Sequence, residues 1–145
     1  MKKQIVFALI GVMLFAFNAN VAANKPQKTI VAKDRVEVMY FHGKQRCITC
    51  RAIEKATKEV LDTYFANEVK SGKIQYRIID ISQTANEKIA DKYEVSWSSL
   101  YVNGWKKGKE AKNNMTEFAF SYAKNSPDLF KSGLKKKIEE LLKQK

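Results

Sequence analysis

The most constraining stretch is Cys47-Ile48-Thr49-Cys50, which holds both cysteines of the chain two residues apart. An apolar run, Val36 to Phe41, precedes it and reads as a strand. Ala52 to Val69 follows with apolar residues at three- and four-residue intervals and reads as a helix. A Cys-x-x-Cys at a strand-to-helix turn is a thiol–disulfide arrangement. Joining cysteines this close restrains the unfolded chain only slightly, so the pair is a poor stabilising staple. Redox chemistry or metal binding explains it better.

The N-terminus bears on which chemistry applies. Lys2 and Lys3 precede a charge-free run from Ile5 to Phe17, and the small residues Val21-Ala22-Ala23 follow. That order describes a secretory signal peptide, residues 1–23, and predicts a periplasmic or secreted protein. The run is shorter than the ~20 residues of a bilayer-spanning helix, so no stable membrane span is expected after cleavage. Cleavage at that point leaves residues 24–145, one domain's worth and long enough for a core of its own. In an oxidising compartment the two cysteines are expected to pair. Loss of Lys2 and Lys3 takes the 27 basic residues to 25, against 15 acidic ones. Most of the lysines fall on expected helix faces and in the C-terminal tail. With export, this argues for a solvated surface and against a nucleic-acid partner.

Residues 24–33 read as a polar lead-in, with Thr29–Ala32 a candidate edge strand. Val36–Phe41 contains one charge, Glu37, and is expected to be buried on both faces. After the first helix, with Tyr64 on its inward line, Ser71-Gly72 supplies a left-handed stop. Ile74–Ile81 is a second strand, and Ser82 or Thr84 caps a short helix reaching Tyr93. Ser99–Val102 is a third strand. Asn103-Gly104 is the favoured two-residue hairpin dipeptide, returning a fourth strand through Trp105–Lys107. Asn114 with Glu117 has capping-box spacing, and Ser126-Pro127 opens a last helix over 126–145 with Phe130, Leu134, Ile138 and Leu141 along one line. The order predicts an α/β fold: a mixed sheet of four to five strands, its first two parallel, flanked by helices.

This arrangement resembles the thioredoxin superfamily over about Val36 to Lys107. The resemblance is carried by the Cys-x-x-Cys at its helix start, Ile78-Ile79-Asp80-Ile81 as a core strand, Tyr93-Glu94-Val95 before the next strand, and Val102-Asn103-Gly104 as the hairpin. It implies a thioredoxin-like fold with a helical C-terminal extension. The chain departs from the family at three points. Ile48-Thr49 replaces the dipeptide Gly-Pro, Arg46 stands where a tryptophan is usual, and Ser99, next to Ser98, holds the place of the cis-proline. A serine there is expected in a trans peptide, because a non-proline cis bond costs ~3–4 kcal/mol.

The resemblance implies a thiol–disulfide oxidoreductase acting on protein or small-molecule disulfides or dithiols, as a monomer with a redox partner protein and no cofactor. Cys47 is then the nucleophile and Cys50 the resolving thiol. Arg46 and Arg51 supply positive charge near the thiolate, and Asp80 bears on the site electrostatically. Trp97 covers the disulfide or packs elsewhere. His42, the only histidine, assists proton transfer or is a plain loop residue. A metal-binding reading stays open: Cys47 and Cys50, with His42, form a soft set for Cu(I) or Zn(II). So does a partner-binding module without catalysis.

Overall fold

The structure is a computed structural model and describes residues 33–144. The expected signal peptide, most of the lead-in and the Thr29–Ala32 strand lie outside the described residues.

Strand β1, Arg35–His42, runs through the middle of the molecule, and its six inner residues are all buried. Helix α1, Ile48–Tyr64, and the short α2, Ala66–Lys70, carry the chain back to β2, Ile74–Asp80. A 3-10 turn at Thr84–Asn86 leads into α3, Glu87–Lys92, followed by β3, Ser99–Lys106, and β4, Lys109–Ala111. Helices α4, Thr116–Tyr122, and α5, Pro127–Lys143, complete the fold. The sheet order is β2-β1-β3-β4, with β1 parallel to β2 and antiparallel to β3. Among the described residues the sheet has four strands.

Both faces of the sheet are covered, which is why β1 is almost uniformly apolar. One face carries Val38, Tyr40, Leu100 and Val102 against Ile53 and Val60 of α1 and Phe130, Leu134 and Ile138 of α5. The other carries Met39, Phe41 and Ile79, closed by Tyr93 and Val95 beyond α3. Each fully buried large side chain contributes roughly 1.5–3 kcal/mol of burial. Glu37 is buried and held by Arg35, whose Nε donates to Glu37 Oε1 at 2.7 Å.

The short helix before Tyr93 is capped by neither Ser82 nor Thr84: Gln83 precedes the 3-10 turn, Asn86 precedes α3, and neither makes a side-chain cap bond. Three further expectations need correcting. The first helix does not run unbroken to Val69. Phe65 leaves helical geometry at φ −133° and drops into the core, so α2 restarts behind it, while Tyr64, expected inward, is exposed. The hairpin is not at Asn103-Gly104, which lie inside β3; the turn is Lys107-Gly108, both at positive φ (49° and 77°), as a type I′ turn requires. Gly104 is small for another reason: a Cβ there would meet Leu141 Cδ2 of α5 at 3.2 Å. Third, α4 starts at Thr116 rather than Asn114. Asn114 Oδ1 accepts from the Thr116 N–H at 2.9 Å, but no side chain completes a capping box. Pro127 sits in the first turn of α5 as expected, although Ser126 makes no side-chain cap bond. Gly72 has the expected left-handed backbone, φ 76°.

Candidate functional site

The site forms where β1 runs out and α1 begins. Cys47 is the N-cap of α1, with extended backbone (φ −71°, ψ 165°), and its Sγ accepts the backbone N–H of Cys50 at 3.0 Å. Cys47 and Cys50 are disulfide-bonded, their Cα atoms 5.0 Å apart. Cys47 is exposed, whereas Cys50, one turn into the helix, is only 6% exposed. One sulfur therefore faces solvent and its partner lies beneath it. Ile48, between them, is 74% exposed.

Beneath the helix start, the hydroxyl of fully buried Tyr40 donates to the Cys50 carbonyl at 2.7 Å. A tyrosine inside an otherwise apolar strand signals a buried hydroxyl in need of a partner, though not which one. Arg46 pairs with Glu54, and its guanidinium lies 5.8 Å from the Tyr40 ring centre. Its charge is thus partly spent on Glu54, a partner eight residues away that helix periodicity does not suggest. Arg51 is exposed in the first turn of α1, one turn along from Cys47.

The end of the sheet supplies the floor. His42 stands opposite Asp80 in the parallel pairing, and Phe41 stands opposite Ser99 in the antiparallel one. His42 Nδ1 lies 3.0 Å from the Gly43 carbonyl. Among the described residues no three of His, Cys, Asp and Glu gather as a metal-holding group. Asp80 accepts from the Ser82 hydroxyl at 2.7 Å and the Ser82 N–H at 2.9 Å. These bonds hold its carboxyl below the usual range, the hydroxyl contributing most and the charge of His42 least. Ser98 and Ser99 are buried, Ser99 Oγ donates to the Trp97 carbonyl at 3.1 Å, and no described peptide bond is cis. Trp97 stacks on Phe120 of α4, ring centres 5.3 Å apart.

Strand order, the parallel β1–β2 pair, the β3–β4 hairpin and a disulfide-forming Cys-x-x-Cys at the start of α1 define a thioredoxin-like fold. Solved structures similar to the chain include a malarial protein, 23% identical with TM-score 0.44, covering 72% of this chain and 97% of that one. A thioredoxin from Fasciola hepatica is 23% identical with TM-score 0.40, covering 60% and 75% respectively. A Thermus thermophilus thioredoxin is 13% identical with TM-score 0.45, covering 70% and 72%. No protein-family model and no curated protein matches the sequence.

Proposed function

We propose that the protein is an exported thiol–disulfide oxidoreductase, with Cys47 as nucleophile and Cys50 as resolving thiol. The observation that carries this reading is the asymmetry of the pair: Cys47 is exposed at the helix N-cap with an N–H on its sulfur, and Cys50 is buried one turn behind. In the reduced protein the Cys50 N–H and the helix dipole favour the Cys47 thiolate over the thiol. That thiolate attacks a substrate disulfide, forming one S–S bond and releasing the other substrate sulfur as a thiolate. Cys50, having lost its proton to solvent, then attacks Cys47 Sγ, closes the Cys47–Cys50 disulfide and releases the second substrate thiolate. Two electrons pass to the substrate; run backwards, the same steps oxidise a substrate dithiol. The partners are protein or small-molecule disulfides or dithiols and a second redox protein that resets the pair.

The test uses a dye-labelled disulfide peptide. Wild type exchanges with it, Cys47→Ser does not, and Cys50→Ser accumulates a covalent adduct visible by intact mass. No exchange by wild type and no adduct on Cys50→Ser would overturn the proposal. Export is supported by the basic start, apolar run and small residues of residues 1–23. Cell fractionation and the N-terminus of the mature protein test it. Among the described residues no helix is long and apolar enough to cross a membrane.

Reduced, the same two sulfurs form a soft pair for Cu(I) or Zn(II). Exchange is preferred because an exposed Cys47 at the helix N-cap and a buried Cys50 behind it match the attacking and resolving roles. Stoichiometric metal retained by the reduced protein, and lost in either cysteine variant, would reverse that preference.

A further inference from the structure

Beside the cysteine end of the sheet an open groove of about 750 Å³ runs between the Glu94–Tyr101 segment and α4. Ser99, the first residue of β3, lines it, so its inner end lies one strand from the point where β1 delivers the chain to the cysteine loop. Trp97 and Phe120 form an aromatic shelf, ring planes 29° apart, and the Trp97 side of that shelf is 59% exposed. An indole left largely in water yet already braced by a second ring is a prepared surface for a flat partner. Glu94 and Glu117 also line the groove, both exposed and neither ion-paired among the described residues. The net charge of the whole chain is +12, so two unpaired carboxylates flanking an aromatic shelf make a local negative field against the global one.

The backbone edge there is closed. The Leu100 N–H donates to Thr116 Oγ1, the Leu100 carbonyl accepts from Met115 N–H, and the Val102 N–H donates to the Asn113 carbonyl. The Tyr101 hydroxyl likewise donates to the Tyr93 carbonyl and accepts from Asn114. An occupant therefore cannot add as a strand and must enter through a side chain. A flat cation suits both the shelf and the carboxylates, and arginine is the side chain that stacks on rings while pairing with carboxylates.

We propose that this groove seats an arginine side chain of the segment flanking the reacting cysteine in a disulfide substrate, stacked on Trp97 and paired with Glu94 and Glu117. The word substrate rests on the thiol–disulfide reading; the preference of the groove for the cation does not. The probe is a short dye-labelled peptide of glycine, alanine and leucine with one central arginine and no cysteine, compared with forms carrying glutamine or glutamate at that place. Fluorescence anisotropy with the full protein is expected to rank arginine first. Trp97→Ala and the double variant Glu94→Gln/Glu117→Gln should each weaken the arginine peptide about tenfold. Equal binding of the three peptides, or an arginine preference untouched in both variants, overturns the proposal. So does a concentration-dependent dimer that the double variant dissolves, which would give the groove to a second copy of the chain. Cysteine-containing disulfide forms of the same peptides separate the two readings. Arginine binding with no exchange on any peptide removes the redox function and keeps the groove, and exchange without arginine preference does the reverse.

Discussion

Cys47 is at once the last residue of a loop and the cap of a helix, so the N–H that would cap onto a serine oxygen points instead at a sulfur. A thiolate there gains the field of the helix terminus, ~0.3–1 kcal/mol, and each 1.36 kcal/mol is about one pKa unit. The alkylation rate of the reduced protein should therefore titrate with a midpoint below the ordinary ~8.5 of a free thiol. Glu54→Gln, which leaves Arg46 without its counter-charge, should lower it further by about a few tenths of a unit. A midpoint at or above that of a free thiol would remove the electrostatic account of Cys47. Glu94 offers a second test. It sits at φ 54° just past α3, a conformation that costs a side-chain-bearing residue roughly 1–2 kcal/mol. Glu94→Gly should raise the midpoint of thermal unfolding while weakening the arginine peptide; a lowered midpoint would show that the Glu94 side chain stabilises the fold. At this scale the cysteines were legible in the sequence because their spacing alone carries the chemistry. The roles of Tyr40, Glu54 and Phe120 were not, since each depends on which element packs where.

Elements are legible where period and burial agree, as in β1, β2 and α5, and obscure where one residue type serves two purposes. Asn103-Gly104 carries the commonest hairpin signature, yet Asn103 is fully buried. Its amide donates to Tyr93 Oη at 3.1 Å and Glu110 Oε1 at 3.0 Å, and its Oδ1 accepts from Asn113 N–H at 2.9 Å. The dipeptide is a polar tie and a close approach, and the true turn, Lys107-Gly108, hides its positive φ behind a lysine. Lys107→Asn should stabilise the fold by about 0.5 kcal/mol, because asparagine tolerates that backbone better. An unchanged or lowered denaturation midpoint would count against the turn assignment. Gly133 of α5 poses the opposite case. A Cβ there would overlap the ring of Phe118, which stacks on Phe130. Gly133→Ala gains about 1 kcal/mol of helix propensity but overpacks the α4–α5 contact by roughly 1–3 kcal/mol. A net loss of stability is expected, and a gain would mean that Phe118 yields freely.

Across the whole molecule, α3, β3 and β4 are locked together by one polar cluster. Glu110 accepts from Tyr93 Oη and Asn103 through one oxygen and from Lys92 Nζ at 2.7 Å through the other. Desolvation raises the Glu110 carboxyl, but the bonds from Lys92, Tyr93 and Asn103 together outweigh it and leave the group below its ordinary range. Desolvation, with Glu110 beside it, pushes the Tyr93 phenol well above its ordinary value. The two shifts set opposite limits on one pH window. A carboxyl lowered in the folded state contributes stability above its unfolded pKa of about 4.3, and that contribution drains away as pH falls through the lower folded value. A phenol raised in the folded state contributes below about 10 and loses that contribution as pH rises through the higher folded value. Urea unfolding followed across pH should therefore give a plateau between those limits. Glu110→Gln should flatten the acid limb, and Tyr93→Phe should lessen the alkaline one without abolishing it, because burial also raises the phenols of Tyr76 and Tyr101. The shifted carboxyls of Glu59, Glu139 and Glu140 are exposed ion pairs on helix surfaces and should add little to the acid limb. An acid limb as steep in Glu110→Gln as in wild type would place the acid sensitivity elsewhere, and the cluster would then be a geometric tie without a role in the pH response.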